Sequence, residues 1–129
     1  MKGAAKAQSA CEGPEIWGGF ECSIVRIGDT WRNQIVETGH YRRDRDIDRL
    51  AALGIGTIRY PVLWEMAEHV EDAWAWADAR MEKIKRLGLR PVVGLVHHGS
   101  GPDHVNLLSR DFASGLAATP ARSPEDTRG

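Results

Sequence analysis

The fold is decided by the stretch Ile84-Lys85-Arg86-Leu87-Gly88-Leu89-Arg90-Pro91-Val92-Val93-Gly94-Leu95-Val96-His97-His98. Its second half is almost wholly apolar, as is typical of a strand buried on both faces of a parallel sheet. Its first half ends a helical pattern at Gly88. The same junction stands earlier, where Leu50-Ala51-Ala52-Leu53-Gly54-Ile55 precedes the apolar run 56–64. This repeated helix–turn–strand unit predicts a parallel α/β sheet with right-handed crossovers.

A further apolar run and two amphipathic helices complete the pattern. The run 15–23 predicts a first strand, and its two glycines indicate a bend or a close backbone approach. A first helix is expected to begin at Asp44 or Asp46 and to end at Gly54. The apolar faces of the two helices are Ile47, Leu50, Ala51 and Leu53 in the first and Ala77, Met81, Ile84 and Leu87 in the second. Solvent-facing positions are predicted for Arg80, Lys83, Lys85 and Arg86.

The remaining segments are predicted as loops, one helix and two ends without regular structure. A polar loop is expected over 26–43, and the charge run 44–49 is interpreted as a solvated helix face. A third helix is expected over 106–117, with an apolar face of Leu107, Leu108, Phe112 and Leu116. We therefore predict a flexible leader over 1–13, one α/β domain over 14–117 and a disordered tail over 118–129.

Composition excludes several classes of function. Hydrophobic residues make up 42% of the 129 residues and charged residues 27%, which is typical of a globular protein. The net charge of −1 predicts no attraction to nucleic acid or to an anionic membrane surface. Cys11 and Cys22 form neither a CxxC motif nor a disulfide framework, so we expect free thiols in the cytoplasm. No P-loop, GxGxxG or GxSxG motif occurs, and no cofactor is expected.

Candidate site residues follow from the rule that parallel sheets bind ligands at the carboxyl ends of their strands. Arg59 lies in an apolar strand, and we expect it buried in a barrel mouth, where it holds a carboxylate. The alternative is an exposed sheet edge. Trp64 either floors a sugar site or caps the core. His97 and His98 are expected to contact a polar ligand, with a structural hydrogen bond or a metal as alternatives.

Two carboxylates at strand ends require separate interpretation. Glu21 follows the first strand and Glu65 the second, so they are candidates for the carboxylate pair of a glycosidase. The sequence does not set the distance between them. For Glu65 alone, a position on the protein surface is the simpler interpretation, because Glu68 and Glu71 follow it in a polar segment.

Three blocks in order resemble the family 1 glycoside hydrolases. Trp17-Gly18 is similar to the Trp-Gly that opens the family's first strand. The run Arg59-Tyr60-Pro61-Val62-Leu63-Trp64 resembles the Arg-Phe-Ser-x-x-Trp of its second strand. The run Val93-Gly94-Leu95-Val96-His97-His98 resembles the Val-Thr-Leu-x-His-Trp of its third. The sequences of these blocks resemble even more closely a subgroup in which such a barrel is fused ahead of a dTDP-4-dehydrorhamnose reductase-like domain.

The resemblance implies a fold and residue roles. It implies the first three βα units of a (β/α)8 (TIM) barrel, with Arg59 holding the catalytic nucleophile, Trp64 near the site and His97 contacting the sugar. The family's glycone-binding Gln has no clear counterpart, since Glu21 and Cys22 occupy that region, and His98 replaces the Trp after His97. The acid/base Glu of an Asn-Glu-Pro motif and the nucleophile Glu belong after strands four and seven, and this chain contains neither motif.

Three hypotheses about function follow. The first is a β-glucosidase-type barrel fragment that is inactive alone and of marginal stability, because both catalytic carboxylates are missing and the sheet edges are open. The second is a sugar-binding or partner-completing module, which joins the remainder of a barrel or a fused nucleotide-sugar reductase domain. The third is a metal-dependent hydrolase that uses His97, His98, His104 and Asp103, although no zinc-ligand spacing is present.

Overall fold

The computed structural model describes residues 13–20, 23–28, 30–69, 72–97 and 101–119. The strands are β1 (Trp17–Gly19), β2 (Ile24–Ile27), β3 (Thr30–Asn33), β4 (Thr57–Pro61) and β5 (Arg90–Gly94). The helices are α1 (Gln34–Glu37), α2 (Arg45–Ala52), α3 (Trp64–His69), α4 (Ala73–Arg86) and α5 (Phe112–Ala118). No helix in the described part of the chain has the length and apolar character needed to cross a membrane. The predicted leader and tail lie largely outside the described residues.

A three-stranded parallel sheet forms the centre of the fold, in the order β1-β4-β5. Each strand falls within one of the three apolar runs of the sequence, so the expected mixed α/β fold with a parallel sheet is confirmed. In the register, Gly19 pairs with Arg59, and Arg59 pairs with Val92. Successive strands of this sheet are thus neighbours in space, and the connections between them contain α2 and α4.

Helices α2 and α4 pack on the same face of this sheet. Ile47 of α2 and Ile84 of α4 join Ile58 and Tyr60 of β4 in one hydrophobic cluster. Both helices end at glycines with left-handed backbone, Gly54 at φ 78° and Gly88 at φ 76°, as predicted. The apolar face predicted for α4 is confirmed. That of α2 is wrong at Leu53, which is 75% exposed because the helix has already ended.

The opposite face of the sheet is open at its centre. Side chains alternate along a strand, so Arg59 points away from its buried neighbours Ile58 and Tyr60. Arg59 and Gly19 are exposed there, and the indole of Trp17 is 57% exposed. The amino-terminal end of this face is closed by Thr57, which donates to Glu15 and accepts from Arg90.

The segment after β1 is more ordered than its polar sequence indicates. The predicted loop over 26–43 is wrong, because β2 and β3 form an antiparallel hairpin and α1 follows directly. Ile24 and Ile35 anchor this unit in a second cluster together with Leu63 and Met66. Isolated apolar residues within a polar stretch carry no periodicity, which is why the sequence pattern did not reveal them.

The third predicted helix is shorter than expected. The prediction of a helix over 106–117 is wrong in its first half, where turns precede α5. Leu107 and Leu108 were assigned to its apolar face, yet they are 62% and 92% exposed. Phe112 alone of the early positions packs inward, against Trp64.

Ion pairs join α2 to α4. Solvent-facing positions were predicted for Arg80 and Lys83, and this is wrong, because each side chain is only 13% exposed. Lys83 Nζ lies 3.0 Å from Asp44 and 2.5 Å from Asp48. Arg80 donates to the backbone carbonyl of Tyr41 at 2.9 Å. The aliphatic stems of both residues thereby cover the helix interface while the charges meet acceptors.

The charge run 44–49 contains one buried carboxylate. Asp46 is 5% exposed, so the interpretation of the whole run as a solvated face is wrong at this residue. Its oxygens lie 2.7 Å from His40 Nδ1, 3.0 Å from Arg43 Nε and 3.0 Å from Arg49 Nη1. The carboxylate therefore fixes the turn over 38–43 against the start of α2.

Acid is expected to weaken this cluster. The hydrogen bond from His40 lowers the pKa of Asp46, burial acts in the opposite direction, and Arg43 adds to the lowering. A lowered folded pKa means that the contribution of Asp46 is present above its unfolded pKa, about 3.9, and is lost as pH falls through the folded value. Urea unfolding below about pH 4 should therefore show a smaller acid loss of stability for Asp46→Asn than for the parent chain.

Glu37→Gln provides the matched control. The pKa of Glu37 is also lowered, by Arg32, but both side chains are largely exposed and the pair is screened by solvent. This variant should follow the parent's pH curve closely. Equal effects of the two substitutions would contradict the role given to Asp46.

Candidate functional site

The segments that follow β4 and β5 lie side by side at the carboxyl end of the sheet. Val62 donates its backbone N–H to Gly94 O at 2.9 Å, and Trp64 donates to Leu95 O at 2.8 Å. The parallel pairing thus continues beyond the strands themselves. It brings the start of α3, with Trp64 and Glu65, next to the segment that carries His97.

Arg59 lies in the middle strand, on the open face. The expectation that it is buried is wrong, and so is the alternative of a sheet edge, because β4 has a neighbour on each side. A Cβ atom at Gly19 would lie 3.4 Å from the Arg59 carbonyl oxygen and 3.6 Å from its Cβ. The backbone at Gly19 therefore lies close beside Arg59, which is exposed on this face.

Trp64 is almost completely buried at the start of α3. Its indole is 1% exposed and meets the Phe112 ring edge-on, with the ring centres 5.7 Å apart. On another side it lies against Gly115 and Gly101. Of the two roles predicted for Trp64, this packing matches that of a core residue, and it ties α3 to α5.

Glu65 is buried at the start of α3. It is a candidate for a carboxylate pair with Glu21, but the surface position preferred for Glu65 alone is wrong, since the residue is 5% exposed. Its Oε1 accepts the backbone N–H of Gly101 at 2.8 Å, so the carboxylate holds the segment after β5 against α3. Its position directly after an apolar strand and Trp64 was the available signal. The neighbouring acidic residues masked it.

The remaining candidates are only partly placed. His97 is half-buried, and its Nδ1 is buried. Glu21 and His98 lie outside the described residues, so the pairing of Glu21 with Glu65 stays a prediction. Within the ranges that the structure describes, no group of three His, Cys, Asp or Glu side chains is arranged to hold a metal ion.

A cleft opens between the segments that follow β4 and β5. Its volume is about 550 Å³, within the range of small-molecule sites. Trp64 and Trp74 line it from α3 and α4, and Asp111, Ser114 and Gly115 line it from α5 and the residue before that helix. His104 also lines it. His104 and Trp64 are candidates from the sequence, but no sequence pattern links them to Trp74 or Asp111.

No protein-family model matches the sequence, and neither a curated protein nor a solved structure matches it. The likeness to family 1 glycoside hydrolases and the suggested reductase fusion therefore stay predictions that rest on the three sequence blocks.

Proposed function

We propose that the chain supplies the first three βα units of a (β/α)8 barrel of the family 1 glycoside hydrolase type. In this proposal it contributes carbohydrate contacts and does not hydrolyse glycosides by itself. One observation carries the proposal: helices pack on one face of a parallel sheet while the other face is open around an exposed arginine.

The strand order supports a barrel more than a doubly wound sheet. The order β1-β4-β5 follows the chain in one direction, and both connecting helices lie on the same face. Parallel sheets are normally covered on both faces, and in a barrel the inner face is covered by the strands opposite. The exposed Trp17 indole then belongs to an interior that further strands complete.

Arg59 is the residue of this interior that we propose to bind a carboxylate. A guanidinium presents several N–H donors in a plane and pairs with a carboxylate in bidentate fashion. At the centre of the open face, with Gly19 on one side and Val92 on the other, it is positioned to hold an acidic group brought by another strand. The resemblance implies that this group is the nucleophile. We propose that His97, at the adjacent strand end, contacts the sugar.

The same open face also fits the second hypothesis. A separate polypeptide that supplies the remaining βα units, or a reductase-type domain, would cover the same residues. In either form we place the protein in the cytoplasm, on the grounds of its cysteine pattern.

Hydrolysis of a chromogenic aryl β-glucoside tests the proposed function. The chain alone is expected to be inactive, because glycosidases need two carboxylates at a set separation. Joined to βα units that complete a family 1 barrel, it should hydrolyse the glucoside, and Arg59→Ala should reduce kcat by at least about a hundredfold. Arg90→Ala, at the opposite end of the sheet, is the control.

Two results would contradict the proposal. One is full activity of the joined protein without Arg59. The other is hydrolysis by the chain alone.

A further inference from the structure

We propose that the cleft between α3, α4 and α5 is a binding site for a small organic cation of the quaternary ammonium class. This site is separate from the carbohydrate site proposed for the open face of the sheet. Its walls come from the helices and from the segment that follows β5, and Arg59 is not among the residues that line it.

The charge of the lining favours a cation. Asp111 is an exposed carboxylate at the start of α5, and its side chain makes no capping hydrogen bond to the helix. The Ser114 hydroxyl donates to the backbone carbonyl of Asp111, 3.1 Å away, and not to its carboxylate. Neither Lys nor Arg occurs among the described residues that line the cleft. Asp111 and His104 are the titratable residues among them, and the Asp111 carboxylate would attract a cation.

The aromatic wall favours a cation with an apolar shell. Trp74, at the start of α4, is half-buried and lines the cleft. The face of an indole attracts cations more strongly than other aromatic rings do, and a quaternary ammonium presents methyl groups to it at little desolvation cost. Trp64 lies behind this wall, held against Gly115 and Phe112.

The cleft is tightly packed where α5 meets Trp64. A Cβ atom at Gly115 would lie 2.7 Å and 2.8 Å from two indole carbons of Trp64, so this position of α5 has room only for glycine. Trp64 is in turn 1% exposed. A site with a rigid wall loses little entropy when a ligand binds.

Titration of the full chain with choline tests the proposal, with the Trp74 indole N–H followed by NMR and assigned through Trp74→Phe. Dimethylbutanol, the neutral isostere in which carbon replaces the ammonium nitrogen, is the control ligand. We expect choline at millimolar concentration to shift the Trp74 signal and dimethylbutanol to leave it in place. Equal shifts from the two ligands, or no shift from choline, would overturn the proposal.

Two charge-matched variants locate the contact. Asp111→Asn removes the carboxylate but keeps its shape, and it should weaken choline binding about fivefold. Asp103→Asn removes an exposed charge from the same segment but not from the lining, and it should bind as the parent does. Equal loss in both variants would overturn the specific role of Asp111. A Trp74 shift with methyl glucoside but none with choline would instead identify a carbohydrate site.

Discussion

Replacement of Ile58 by alanine is expected to lower the free energy of unfolding by about 3 kcal/mol. The Ile58 side chain is 0% exposed and packs between α2 and α4 at the centre of the sheet. Truncation removes apolar contacts and leaves a cavity, because the two helices can move only partly into the space. Urea unfolding followed by tryptophan fluorescence measures the difference.

Leu53→Ala is the matched control for Ile58→Ala. The sequence pattern places Leu53 on the same apolar face as Ile47, whereas the structure leaves it 75% exposed after the end of α2. Its truncation should change the free energy of unfolding by no more than about 0.5 kcal/mol. Similar losses for the two variants would support the sequence pattern over the structure at this helix end.

Replacement of Gly115 by alanine is expected to lower the free energy of unfolding by about 2 kcal/mol. The new Cβ would lie 2.7 Å from a carbon of the Trp64 indole, which is buried and cannot move without disturbing Phe112. Overpacking of this kind costs up to about 3 kcal/mol. Alanine is more favourable than glycine in a helix by about 1 kcal/mol, which offsets part of the cost of the clash.

Gly56→Ala separates the clash from the general effect of losing a glycine. A Cβ at Gly56 would meet no atom within 4 Å. The substitution should be neutral or stabilising by up to about 1 kcal/mol, since alanine has less freedom in the unfolded chain. A Gly115→Ala variant that unfolds at the same urea concentration as the parent would contradict the packing of α5 on Trp64.

The central sheet and helices α2 and α4 could be predicted from the sequence because their apolar residues recur at regular spacing. Gly54 and Gly88 end helices at positions where a left-handed residue is needed, and apolar strands follow each of them. Such repeated local signals agree with the tertiary structure, as expected of sequences that specify one fold. Ile47 and Ile84 could therefore be assigned to the core in advance.

The parts that sequence did not reveal depend on contacts distant along the chain. Lys83 looks like a solvated charge until α4 is packed against the start of α2, where Asp44 and Asp48 meet it. Glu65 is buried because Gly101, far along the chain, donates to it. Arg59 has buried neighbours on both sides in sequence, but alternation sends it to the other face. Burial of a polar side chain is set by its partners, which composition and periodicity do not record.

The central claim is that the open face around Arg59 is the interior of a barrel completed by further βα units. The most direct test is the DNA sequence downstream of the codon for Gly129, translated in all three frames. The account predicts alternating strand and helix patterns there, with an Asn-Glu-Pro sequence after the next strand. Absence of any barrel-like pattern in every frame would contradict completion by the same gene and leave a separate polypeptide as the alternative.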